Sequence, residues 1–124
     1  MMYVLRDQHA DLIVLRLETT VLDLSDAVIA DGNAASDSTA FYPSPVGLRN
    51  LDGDAIFASD WTDPDVFEYW HKKRVKCAEV LIPDQIPPEF IVGAYVSSQQ
   101  TLKRINSLGL GLQVSVNKSV FFRA

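Results

Sequence analysis

One acid and one loop carry most of the chemistry that this sequence can support. The run Lys76-Cys77-Ala78-Glu79-Val80-Leu81-Ile82 reads as a strand that Pro83 ends, with Glu79 its only carboxylate. Alternation puts Val75, Cys77, Glu79 and Leu81 on one face and Lys76, Ala78, Val80 and Ile82 on the other, so Glu79 stands among apolar neighbours. An ionised carboxylate is costly in such company unless it is paired or used. Glu79 is therefore expected at an exposed sheet edge, matched to a base such as Lys76, or engaged in catalysis. The second feature is Asp31-Gly32-Asn33-Ala34-Ala35-Ser36-Asp37-Ser38-Thr39-Ala40, a small-residue polar stretch that should be a loop leaving a strand end. Loops held this way often carry function. Other chemistries lack their residues: there is no Gly-rich phosphate loop and no nucleophile elbow. Cys77 is the single cysteine, and with His9 and His71 it makes no metal-ligand spacing, so no metal is expected.

The elements that must position these residues follow from the pattern. Met2-Tyr3-Val4-Leu5-Arg6 reads as a short opening strand, and Leu12-Ile13-Val14-Leu15-Arg16-Leu17 as a buried one. Residues 19–26 fit helix or strand equally. Val28-Ile29-Ala30 is a strand that delivers the polar loop, after which Phe41-Tyr42-Pro43-Ser44-Pro45 continues as irregular chain and residues 48–60 suit a short helix with turns. Asp63 as cap and Pro64 in the first position predict a helix reaching Lys73. Beyond the Glu79 strand, Pro87-Pro88-Glu89-Phe90 turns into a strand over 91–96. Ser97 or Ser98 then caps a helix that runs through Leu108 and stops at Gly109, and residues 113–122 alternate as a terminal strand. Short helices at irregular intervals among strands predict a mixed α+β domain.

These elements occupy 124 residues, enough for one core, so a single domain over 1–124 is expected. A composition that is 48% hydrophobic and 22% charged excludes a disordered or collagen-like chain. Apolar runs fall far short of the roughly 20 residues that span a bilayer, and no signal-peptide pattern opens the chain. With one cysteine, a reducing, cytoplasmic setting without a membrane is the expectation. The net charge of −5 hides a division: residues 1–69 hold three Arg against thirteen acids, whereas residues 70–124 hold eight Lys or Arg against three acids. Lys72, Lys73, Arg74 and Lys76 gather behind Trp70 and His71, either as phosphate contacts or as a solvated basic turn.

The order of these motifs resembles the DarT family of DNA ADP-ribosyltransferases. Lys76-Cys77-Ala78-Glu79-Val80-Leu81-Ile82-Pro83, followed by Ile86-Pro87-Pro88-Glu89-Phe90-Ile91, is similar to the family's catalytic strand and the Pro-containing turn after it. Asp31-Gly32-Asn33-Ala34 with Phe41, then Leu51-Asp52 and Asp60-Trp61, resembles its loop segment in the same order, and Met2-Tyr3-Val4-Leu5 the strand after its Ser-Pro motif. The resemblance implies a mixed split β-sheet of the ADP-ribosyltransferase type with short helices. It implies an enzyme that cleaves NAD at the nicotinamide ribose and attaches ADP-ribose to a thymine base in single-stranded DNA, a toxin countered by a macrodomain antitoxin.

On that resemblance Glu79 matches the catalytic glutamate, and Asp31, Asn33, Phe41 and Trp61 fall in the segment beside the DNA substrate. Asn33 can bond a base edge and Phe41, Tyr42 or Trp61 can stack on an unpaired base, while Lys72, Lys73, Arg74 and Lys76 hold phosphates. The plainer role for the aromatic residues is core packing. The family's amino-terminal part, with its NAD-binding His strand and Arg-bearing segment, has no counterpart in the 124 residues. His9 is outside the matching motif. The chain is thus expected to be the carboxy-terminal portion of such a domain, with sheet edges open to an amino-terminal half, a second copy or a partner. It either acts when the amino-terminal part is supplied or survives as a remnant that binds single-stranded DNA or antitoxin.

Overall fold

The computed structural model describes residues 5–121. In chain order its strands are β1 (Ile13–Leu17), β2 (Val28–Ala30), β3 (Phe41–Pro43), β4 (Glu79–Leu81), β5 (Ile91–Val96) and β6 (Val114–Val116). The helices are α1 (Gly53–Phe57), α2 (Val66–Val75) and α3 (Gln99–Ser107), with short 3-10 turns between. The expected α+β class is observed, as two separate three-stranded sheets. Contacts group the chain into two compact units, Met1–Thr19 with Pro87–Ala124, and Thr20–Ile86.

In the first unit β5 is central, antiparallel to β1 (Val14 opposite Tyr95) and parallel to β6 (Ala94 beside Val114). Ala94 and Val96 are fully buried, as a two-neighbour strand requires. Gly93 is needed here because a Cβ would lie 2.6 Å from the Gln113 carbonyl oxygen, which receives the Ala94 N–H at 3.0 Å. The β1 segment is a strand as expected, but among the described residues it pairs only with β5 and is half covered: Ile13 and Leu15 are 36% and 46% exposed. Ser98 is the cap of α3, accepting the Thr101 N–H at 3.1 Å, and Gly109 leaves the helix end with φ +63. The terminal strand is shorter than expected, because the Asn117 side chain takes the Ser119 N–H and hydroxyl and starts a 3-10 turn. Residues 2–4 of the expected opening strand lie outside the described residues, and Arg6–Asp11 is a 3-10 helix.

In the second unit the sheet order is β3-β2-β4, with Ile29 and Ala30 of the middle strand fully buried. Phe41-Tyr42-Pro43 is a strand, not irregular chain. Its proline is tolerated because β3 is an edge and needs no ladder bond on its outer side. Residues 19–26 resolve as a 3-10 helix, Thr19–Asp23, and a turn. The helix expected to start at Asp63 starts two residues later. Asp65 accepts the Phe67 and Glu68 N–H groups at 2.8 and 3.0 Å, whereas Asp63 accepts the Asp65 N–H. The expected strand over 76–82 begins only at Glu79, since the N–H groups of Lys76, Cys77 and Ala78 close the end of α2 on Lys72, Arg74 and Val75. No helix among the described residues is long and apolar enough to cross a membrane.

Candidate active site

The loop after β2 is built by its own polar side chains. Asp31 closes the mouth: its N–H donates to the Ala40 carbonyl at 3.1 Å and its carboxylate accepts the Ala40 N–H at 2.9 Å. Inside, the Asn33 side-chain oxygen accepts the Ala35 N–H at 3.0 Å, and its carbonyl accepts the Ser36 N–H and the Thr39 hydroxyl. The amide nitrogen of Asn33 has no partner among the described residues, and the residue is exposed, which leaves two N–H donors free.

Glu79 opens β4 opposite Ala30, the last residue of β2, and its side chain reaches the same loop: Oε1 accepts the Ala34 N–H at 3.1 Å. Its carboxylate is exposed, and Oε2 has no partner among the described residues. The exposed sheet edge named among the alternatives for Glu79 is what is found: among the described residues three-residue β4 pairs on one side only, and every residue of it is exposed. Lys76 is not its counter-ion, because that ammonium donates to the Ile56 and Ala58 carbonyls. Phe41 is also in register with Ala30, so Phe41, Ala30 and Glu79 form one cross-strand row on a common face, the outer two about 10 Å apart. Phe41 is 51% exposed.

The basic cluster at the end of α2 is largely engaged. Arg74 bonds Asp31 at 3.0 Å, and Lys72 bonds Asp63 at 2.8 Å. That bond holds Asp63 below the usual carboxylate value, with help from the Asp65 N–H, and raises Lys72. The acidic front and basic back of the sequence thus meet within one unit. Lys73 instead lies over the Trp70 and Tyr69 rings at 4.9 and 5.9 Å. Trp61, half buried, stacks on Tyr69 at 5.8 Å, which packs it against α2.

Between the loop and α2 runs an open groove of about 550 Å³. Asn33, Ser36 and Ser38 line one side; Phe67, Trp70, His71, Lys73 and Arg74 line the other, with Cys77 at the helix end. Phe67, Trp70, His71 and Arg74 have the i, i+3, i+4, i+7 spacing of a single helix face, the signal by which Phe67 and Trp70 can be found in the sequence. No group of three or more His, Cys, Asp or Glu among the described residues is placed to hold a metal ion. Of the expected site residues, hydrogen bonds link Asp31, Asn33, Arg74 and Glu79 through the loop; Phe41 shares the Glu79 row, while Trp61 and Lys72 belong to the packing around α2.

A family model described as "ssDNA thymidine ADP-ribosyltransferase, DarT" matches residues 1–122. The chain belongs to the DarT family. A DNA ADP-ribosyl transferase-DNA ADP-ribosyl glycohydrolase fusion protein of Thermosipho africanus (strain H17ap60334) is 30% identical over 99 residues, 77% of this chain and 24% of the relative. The fold is that of Thermus sp. 2.9 DarT in complex with ADP-ribosylated ssDNA: TM-score 0.79, 18% identity, 98% of this chain and 63% of that one. The same DarT in complex with carba-NAD+ matches with a TM-score of 0.74 and 20% identity, over 98% of this chain and 67% of that one. The chain therefore spans about a quarter of the length of the curated relative it matches.

Proposed function

We propose that this DarT-family chain carries the catalytic-glutamate portion of an enzyme that transfers ADP-ribose from NAD to a thymine base in single-stranded DNA. The observation that carries the reading is the Glu79 carboxylate, fixed to the loop through one oxygen and open at the other. In the reaction the bond between nicotinamide and the ribose C1′ breaks, nicotinamide leaves with the bonding pair, and a thymine ring nitrogen bonds C1′ as its proton passes to a base or to solvent. The free Glu79 oxygen would hold a ribose hydroxyl and offset the positive charge that develops at C1′, and it is placed to help take the proton. Asn33 would donate to the base, Phe41 would stack on it, and Lys73 with Phe67 and Trp70 would hold neighbouring phosphate and base in the groove. A toxin role, with a macrodomain antitoxin that removes the mark, fits the Thermosipho relative, whose name joins a transferase to a DNA ADP-ribosyl glycohydrolase.

The resemblance assigns the holding of NAD to a His strand and an Arg segment outside the residues matched here, and orientation supplies much of the rate of such a transfer. We therefore assign the 124 residues to the carboxy-terminal part of the transferase domain and expect no NAD turnover by the chain alone. The test combines the chain with NAD, a thymidine oligonucleotide and the amino-terminal segment of a DarT relative. ADP-ribosylated oligonucleotide that forms only with the segment and disappears with Glu79→Gln is expected; product unaffected by Glu79→Gln sinks the reading. The groove, with Lys73 over the Trp70 ring, also suits a second reading, a remnant that only binds. It predicts no transfer in any mixture but salt-sensitive binding of single-stranded DNA that weakens with Lys73→Ala.

A further inference from the structure

Among the described residues a single hydrogen bond, from the Ala34 N–H, holds the exposed carboxylate of Glu79. Its geometry therefore depends on where the Ala34 N–H is held, and that is decided three residues earlier. Arg74 grips the loop entrance in three ways. Its guanidinium bonds the Asp31 carboxylate at 3.0 Å, in a pair whose side chains are only 16% and 23% exposed. Its carbonyl accepts the Asn33 N–H at 3.2 Å, and the Cys77 N–H at 3.0 Å. Its side chain lies over Gly32, where a Cβ would collide with it. The contacts form a closed ring: Arg74 to Asp31, Gly32 and Asn33, then Ala34 to Glu79, then back through the turn at 76–78 to Arg74.

We propose that Arg74 and Asp31 are a positioning pair that sets the Glu79 carboxylate by holding the loop amide it binds. The inference rests on reading Glu79 as the reacting carboxylate and adds which residues aim it. A displacement of about 1 Å at such a group costs on the order of 100-fold in rate, so a pair that acts through another residue can still govern the reaction. Arg74 also lines the groove, so the residue that aims the acid borders the space proposed for the acceptor strand.

The test needs neither NAD nor turnover, so its failure is separate from failure of the catalytic reading. In the 124-residue chain labelled for NMR, the Ala34 amide resonance should move as the Glu79 side chain ionises, and Glu79→Gln should abolish the movement. Asp31→Asn and Arg74→Met should each lose it while the strand amides of Ile29, Tyr42 and Val80 keep their positions, and Arg74→Lys should restore part of it. Persistence of the Ala34 response in both Asp31→Asn and Arg74→Met overturns the proposal. Loss of the response together with the strand amides in both also overturns it, since the pair would then hold up the unit rather than aim one group.

Discussion

The two compact units differ in what holds their backbone. Around β5, six residues long, the ladder to β1 and β6 forms the frame, and apolar residues such as Ala94 and Val96 are buried in it. In Thr20–Ile86 each strand has three residues, and the chain between them is held by named carboxylates and amides: Asp31 on Ala40, Asn33 on Ala35, Asp63 and Asp65 on the start of α2. A ladder tolerates many sequences provided that the pattern is kept, whereas each side chain-to-backbone bond fixes one atom in one place. The Glu79 carboxylate, the groove and the loop all belong to the second kind of region, which is the kind that can aim chemical groups.

The largest test of this contrast is in the cores. Ile29→Ala removes the largest fully buried side chain of a three-residue middle strand and should cost about 3 kcal/mol, against about 2 kcal/mol for Val96→Ala in the longer ladder. Urea denaturation of both variants checks the order, and a greater loss from Val96→Ala would reverse the comparison. Next come the close approaches. Gly93→Ala meets a carbonyl oxygen at 2.6 Å that already accepts a ladder bond and cannot yield. Gly32→Ala meets the Arg74 side chain at Nη1 and Cγ, with the Arg74 carbonyl oxygen farther off at 3.1 Å, so the closest clashes are with a side chain that can shift in part. About 2 kcal/mol is expected for Gly93→Ala and about 1 kcal/mol for Gly32→Ala, with the latter also releasing Asp31.

How much of this was legible in the sequence follows the same division. The strand over 91–96, the Ser98 cap and the stop at Gly109 are read from local pattern and are found in the structure. The Glu79 strand is shorter than its sequence suggests because Lys76, Cys77 and Ala78 have strand-like side chains but N–H groups committed to the end of α2, a matter of hydrogen bonding that alternation does not see. The same holds for Asp63 and Asp65, two acids near a helix start of which only the geometry selects the cap. Asp31 and Arg74 are 43 positions apart in the sequence, and no spacing rule pairs them. The groove face was open to discovery in the i, i+3, i+4, i+7 spacing of Phe67, Trp70, His71 and Arg74, but its mixture of aromatic and charged residues does not read as an apolar stripe.

The helix caps offer a finer comparison. Asp65 accepts two amides at the start of α2, and Ser98 accepts one at the start of α3. Each is worth about 1 kcal/mol, so Asp65→Ala should lower stability somewhat more than Ser98→Ala. Helical circular dichroism during urea titration reads both. Equal losses would mean that the second amide bond of Asp65 adds nothing to the first.

The smallest effect is set by pH at the Lys72–Asp63 pair. Asp63 is held below the ordinary value of 3.8, first by the Lys72 hydrogen bond and then by the Asp65 N–H, and Asp60 is lowered by the hydroxyl and N–H of Thr62. A carboxyl depressed in the folded state stabilises the fold above its unfolded value and loses that contribution as pH falls through the folded one. Lys72 is raised above 10.5 by Asp63, so its share is complete below 10.5 and disappears as pH rises through the raised value. Stability of the Thr20–Ile86 unit should therefore fall away at both ends of the pH scale, modestly and less in high salt, because the pair is partly exposed. Asp63→Asn should flatten the alkaline limb and shrink the acid limb, leaving there the part due to Asp60. At neutral pH it should cost more than Asp11→Asn, whose pair with Arg104 has side chains 63% and 69% exposed against 41% and 22% for Lys72 and Asp63. Urea midpoints from about pH 2 to about pH 11 decide it, and an alkaline limb unchanged in Asp63→Asn would show that the loop before α2 is held by its backbone bonds and not by this ion pair.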